Sequence, residues 1–165
     1  MAKLKITEHP APVLAQAGAD ITEFDEKLAR LAEDMYETMY EAKGVGLAAQ
    51  QVGLALRFFV MDCDGLKLVA ANPEIIATEG EQTGEEGCLS VGVIYAVLPR
   101  PQTVTLRAQN LQGEWFEQTA EGYAARCFLH ETDHCNGKLF IQHLPPMRRE
   151  MLLKRFQKIK KFRKK

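Results

Sequence analysis

His130-Glu131-Thr132-Asp133-His134 sets two imidazoles four residues apart, a spacing that carries chemical meaning on an α-helix. There, residues i and i+4 lie one above the other, so both rings can grip one cation. Glu131 is too close in sequence to His130 to join the same coordination face easily, which leaves it free to move protons during hydrolysis. The surrounding pattern predicts a helix from about Glu121 to Asn136, stopped by Asn136-Gly137 in a C-cap position.

Working outward, the preceding segment reads as strands over Leu56–Met61, Leu66–Ala71, Ile94–Leu98 and Val104–Ala108, with Gly, Pro and Asn at the breaks. Asn110-Leu111-Gln112-Gly113 predicts a hairpin turn into Glu114–Thr119, and the short connections predict antiparallel pairing. Nearer the start, Thr22 precedes the acids of a first helical turn, and Phe24, Leu28, Leu31, Met35 and Met39 recur at helical spacing. A helix from about Glu23 to Ala42 is expected. Gly44 to Gly53 permits close backbone approach but lacks the Gly-Lys-Ser/Thr ending of a phosphate loop and shows no helix start. Pro145-Pro146 closes the compact body, and Met147 to about Lys164 reads as a further helix. The order implies an α+β fold, with antiparallel sheets packed around a central metal-binding helix and a C-terminal helix beyond. Residues 1–147 are expected to form the catalytic domain, and residues 148–165 its basic helical tail.

At 165 residues, a single domain with a substantial core is expected. Apolar stretches such as Leu54–Met61 are far too short to cross a bilayer, so no membrane partner is expected. The first residues lack an apolar signal core, which makes a cytoplasmic location the expectation. The four cysteines are then expected to be reduced and available to a metal. A monomer is expected. Charge is unevenly divided: Met1 to Met147 holds 11 Lys/Arg against 21 Asp/Glu, whereas Arg148 to Lys165 holds 10 against the single acid Glu150. Such a tail suits an anionic partner such as RNA.

Two histidines need a third ligand. Tyr123, Cys127, His130 and His134 share one helical face, so Cys127 is a candidate, although a buried cysteine commonly acts as a small hydrophobe. Cys88 is the stronger candidate. It lies in Gly84-Glu85-Glu86-Gly87-Cys88-Leu89-Ser90, read as a loop whose glycines let a thiolate approach from outside the helix. Protease completions of the helical motif fare worse. Phe140 stands where a metzincin has its third histidine, and the only acid after His134 is Glu150, amid the cations of the tail.

Three segments together resemble peptide deformylase, the enzyme that removes the formyl group from new bacterial-type proteins. Gly44-Val45-Gly46-Leu47-Ala48-Ala49-Gln50-Gln51 is similar to that family's Gly-x-Gly-Leu-Ala-Ala-x-Gln, and Glu86-Gly87-Cys88-Leu89-Ser90 to its Glu-Gly-Cys-Leu-Ser. His130 to His134 is similar to its third motif, and the likeness runs from His9-Pro10 to about Met147. The resemblance implies that Cys88, His130 and His134 bind one divalent metal: ferrous iron natively, with nickel, cobalt or zinc tolerated. Glu131 would take a proton from the attacking water and deliver it to the departing amine. The Gln51 side chain and the Leu89 N–H would stabilise the oxyanion, one such donor typically being worth about 3–4 kcal/mol. Val45, Tyr123 and Cys127 would line a slot for the methionine side chain, Gly46 would pass the peptide backbone, and Arg100 would stand near the peptide's path. The substrate would be an N-formylmethionyl peptide, with Arg148–Lys165 a contact for the ribosome or its RNA.

The chain departs from the family pattern at three places. Leu129 replaces a glutamine before His130, Ser90-Val91-Gly92-Val93 replaces Ser-Val-Pro-Gly, and Cys135 replaces a leucine. A looser segment is expected where the proline is lost. Two other readings compete: a hydrolase for a different acyl group, and a catalytically weakened relative that docks on ribosomes or RNA through its tail.

Overall fold

The computed structural model describes residues 4–92 and 94–163. Helix α1 (Glu26–Glu41) begins later than the apolar pattern suggests, because Asp25 rather than Thr22 is its cap: the Asp25 carboxylate accepts the Leu28 N–H at 3.2 Å. At its other end the Lys43 N–H donates to the Tyr40 carbonyl and the Gly44 N–H to the Met39 carbonyl, a Schellman closure. Lys43 occupies the left-handed position of that closure, φ 60°, where glycine is usual. A side chain there costs on the order of 1–2 kcal/mol.

Seven strands follow: β1 (Gly46–Ala48), β2 (Phe58–Cys63), β3 (Leu66–Glu79), β4 (Gln82–Gly87), β5 (Tyr95–Arg100), β6 (Thr103–Gln109) and β7 (Trp115–Glu121). Five form one sheet in the order β1-β2-β3-β6-β7, and β4 pairs with β5 in a separate hairpin. Every ladder is antiparallel, as the short connections imply. Strand β2 is buried on both faces: Phe58 and Val60 meet α1, while Phe59 and Met61 meet the second helix, α2 (Gly122–Cys135).

Helix α2 lies against the five-stranded sheet on one side, with the β4–β5 hairpin on the other. It is therefore the middle layer, which explains how a helix of modest hydrophobicity is buried for most of its length. Two expectations need correction here. Gly84 to Gly87 is strand β4 rather than a loop, and Gly44 to Gly53 contains β1 followed by a 3-10 turn at Ala49–Val52. Neither carries the usual signal: β1 is three residues long, and β4 (Gln-Thr-Gly-Glu-Glu-Gly) contains no apolar residue at all.

Helix α3 (Pro146–Arg163) starts on the second proline, whose missing N–H would have no helical partner there. Leu152 and Phe156 are buried in the cluster that also contains Cys88, Val91, Ile94 and Leu98. The cationic segment is thus anchored to the catalytic body along one side. No helix among the described residues is long and apolar enough to cross a membrane. Replacing the fully enclosed Phe156 by alanine should lower unfolding free energy by about 3–5 kcal/mol, measured in urea, with Phe156→Leu losing less.

Candidate metal centre and active site

Each ligating residue is delivered by an element whose position is set by packing. Cys88 ends β4 and precedes a 3-10 turn at Leu89–Val91, and the two histidines face the hairpin from α2. The Cys88 sulfur lies 3.2 Å from His134 Nε2. One ligating atom from each of Cys88, His130 and His134 falls within 4.8 Å of the others, and all three residues are buried. Thiolate with two imidazoles is a donor set for a borderline divalent cation.

Burial and neighbouring groups shift the two histidines in opposite directions. Burial disfavours a charged His130, yet its contacts with Cys88 and Glu86 outweigh this and raise its pKa well above the ordinary range. Burial, with the neighbouring His130 charge, drives His134 well below it.

Glu86 orients His130. Its Oε2 lies 2.9 Å from His130 Nδ1, which leaves Nε2 as the ring nitrogen available to a cation. Arg100 grips the carboxylate through Nε (2.7 Å) and Nη2 (3.0 Å), and Arg126 Nη1 donates to Oε1 at 3.1 Å. Arg126 also donates to the Gly84 and Leu98 carbonyls, tying both hairpin strands to α2. Burial alone would raise the Glu86 carboxyl, but hydrogen bonds from His130 and Arg100 prevail and hold its pKa at about 2.

Glu131 is the exposed charge's opposite: it is 3 % accessible, and its Oε1 has no hydrogen-bond partner among the described residues. Burial pushes its pKa up to about 7, with His130 opposing the rise and Glu86 and Asp133 adding to it. Gly46 makes room for it, since a Cβ at that position would stand 2.5 Å from Glu131 Oε2. Gln51 Oε1 accepts the Ala48 N–H at 3.0 Å, which turns its amide nitrogen toward the Cys88 sulfur (3.5 Å) and Ser90 Oγ (3.3 Å). Leu89 opens its 3-10 turn, where backbone N–H groups have no partner within the helix.

One cavity collects most of the expected site residues: Val45, Gly46, Gln51 and Leu89 on one side, Tyr123, Cys127 and Glu131 on the other, with Cys88 and His130 at its floor. Among the described residues Cys127 is not part of the group that could share a cation, and it lines the cavity wall instead. Arg100 does not line the cavity. It ends β5 with its guanidinium buried against Glu86 and Asp133. Glu86, Arg126 and Asp133 were not singled out by the residue patterns. Glu86 sits within the second motif, and an acid two residues before a metal-binding cysteine, in an otherwise polar strand, was the available signal.

The sequence profile of the polypeptide deformylase family matches residues 3–150. A peptide deformylase of Acidobacterium capsulatum is 47% identical over 161 residues, covering 94% of this chain and 95% of that protein. The chain belongs to the peptide deformylase family.

A deformylase of Thermotoga neapolitana is also 47% identical, over 151 residues and 91% of this chain. The crystal structure of a peptide deformylase from Legionella pneumophila superimposes with a TM-score of 0.94 at 42% identity, covering 99% of both chains. The chain is accordingly a metal-dependent hydrolase that takes the formyl group from the N-terminal methionine of new proteins. Of its departures, Leu129 packs against the sheet side of α2 and Cys135 is buried beneath it. Gly92 adopts φ 45°, which proline's ring cannot reach; Val93 lies outside the described residues.

Glu86→Gln should weaken metal retention about 10–100-fold against a competing chelator. With the metal removed, the depressed Glu86 pKa has a definite sign. Its contribution to stability is present above the unfolded-state value near 4.5 and is lost as pH falls toward about 2. The urea midpoint should therefore drop across that window, less steeply in Glu86→Gln.

Proposed function

We propose that Cys88, His130 and His134 hold one divalent cation, natively ferrous iron, and that the surrounding side chains divide the work of formyl hydrolysis among themselves. When bound, the cation supplies Lewis acidity, making water more acidic and polarising the formyl oxygen. Glu131 accepts the proton of the attacking water and returns it to the departing amine. A buried, unpartnered carboxylate with a pKa near 7 is suited to both halves of that transfer, and this observation carries the reading. Gln51 Nε2 and the Leu89 N–H donate to the oxyanion. Fixed donors aimed at developing charge act without reorganising during the reaction.

Val45, Tyr123 and Cys127 receive the methionine side chain, and the missing Cβ of Gly46 admits the peptide backbone beside Glu131. Formate and a free amine leave. Tyr123 is half exposed and Cys127 almost fully buried, so the slot has an open and a closed end. We assign the activity to the cytoplasm, where formylated chains emerge, and to a monomer.

The exposed cations of α3, among them Arg148, Lys154, Arg155 and Lys158, favour a contact with ribosomal RNA in addition to catalysis. Truncation is the wrong test, because Leu152 and Phe156 belong to the core. Changing those four cations to glutamine should weaken ribosome binding and flatten its salt dependence; unaltered binding would exclude the contact.

Metal-loaded protein, purified without oxygen, should contain iron and release formate from formyl-Met-Ala-Ser. Its acetylated counterpart should be cleaved far more slowly. Glu131→Gln should retain metal while losing roughly 10²–10⁴ in kcat. Comparable turnover of the acetyl peptide, or an undiminished Glu131→Gln enzyme, would overturn the assignment.

A further inference from the structure

We propose that Lys43 reads the charge of the peptide downstream of the methionine, favouring acidic side chains there over basic ones; this rests on the deformylase reading above. Among the acids, lysines and arginines that line the cavity, Glu86, Arg126 and Glu131 are 3–4 % accessible, and the first two are paired with each other. Lys43 is exposed, and it forms no ion pair among the described residues. The rim of the substrate cavity therefore carries one uncompensated charge on a flexible stem. A cleft bordered by a single sign of charge selects its ligands by charge.

Two features of the backbone place that ammonium. Gly46, beside which the peptide passes, lies three residues after Lys43. Both residues line the one cavity, so a peptide passing Gly46 lies within reach of the lysine's long stem. The Schellman closure at the end of α1 fixes the stem's base through the Lys43 and Gly44 N–H groups. Lysine holds the left-handed position, which would be less strained as glycine, and retained strain of this kind is a pointer to function. The competing explanation is a cation placed at the end of α1 to offset the helix dipole. That role would alter stability while leaving peptide preference untouched.

The decisive measurement is a ratio. kcat/KM is compared for C-terminally amidated formyl-Met-Ala-Glu and formyl-Met-Ala-Lys on the metal-loaded enzyme, in roughly 20 mM and 500 mM salt. The wild-type chain should prefer the glutamate peptide by about two- to fivefold in low salt, with the preference shrinking in high salt. Lys43→Gln should bring the ratio close to one, and Lys43→Glu should invert it. The ratio is read on one preparation, so partial misfolding cancels. If Lys43→Glu yields no active protein, Lys43→Gln decides. An identical ratio in wild type and Lys43→Gln, or a preference indifferent to salt, overturns the proposal. Failure of the wild-type enzyme to release formate from formyl-Met-Ala-Ser would instead overturn the deformylase reading.

Discussion

The Glu86 carboxylate, held between Arg100, Arg126 and His130, is the contact on which the arrangement of the site depends. It joins a two-stranded hairpin to a helix that belongs to a different sheet. Its oxygens are met by two guanidinium groups and an imidazole, so the desolvation that would otherwise raise its pKa is overcome. A buried ion pair of this sort adds little net stability over an apolar replacement. What it supplies is direction. It fixes which nitrogen of His130 is taken up by Glu86 and which is left over, and it holds β4 where Cys88 stands beside both histidines.

Around that contact the fold solves a packing problem. Helix α2 must bury His130, Glu131 and His134 while remaining close to solvent at one end. The five-stranded sheet shields one side, the hairpin and α3 cluster the other, and β1 comes near enough that only glycine fits opposite Glu131. Glu131 is thereby kept away from water, its Oε1 without a hydrogen-bond partner among the described residues. Its raised pKa is a product of the layering as much as of the residue itself.

Much of this was legible in the chain. The i, i+4 histidines, the long apolar period of α1 and the turn before β7 each follow from local rules, and all appear where expected to within a few residues. The polar strand β4 was not legible, because its residues are selected for the site they build instead of for a sheet face. The burial of Arg100 was not legible either: an arginine at a strand end normally seeks solvent, and only the three-dimensional proximity of Glu86 and Asp133 holds it inside. Similarly, a strongly cationic terminus gave no hint that Phe156 anchors it beneath Gly92.

The division of the ligands has one more consequence. Cys88 arrives on the β4–β5 hairpin, which shares no ladder with the main sheet, while both histidines ride on the helix that the main sheet supports. The trio thus spans two separately hydrogen-bonded units, which the Arg126 contacts and the Arg100–Asp133 pair also tie together. A cation held there would bridge the two, so its grip would depend on how firmly one small ribbon stays packed on the helix.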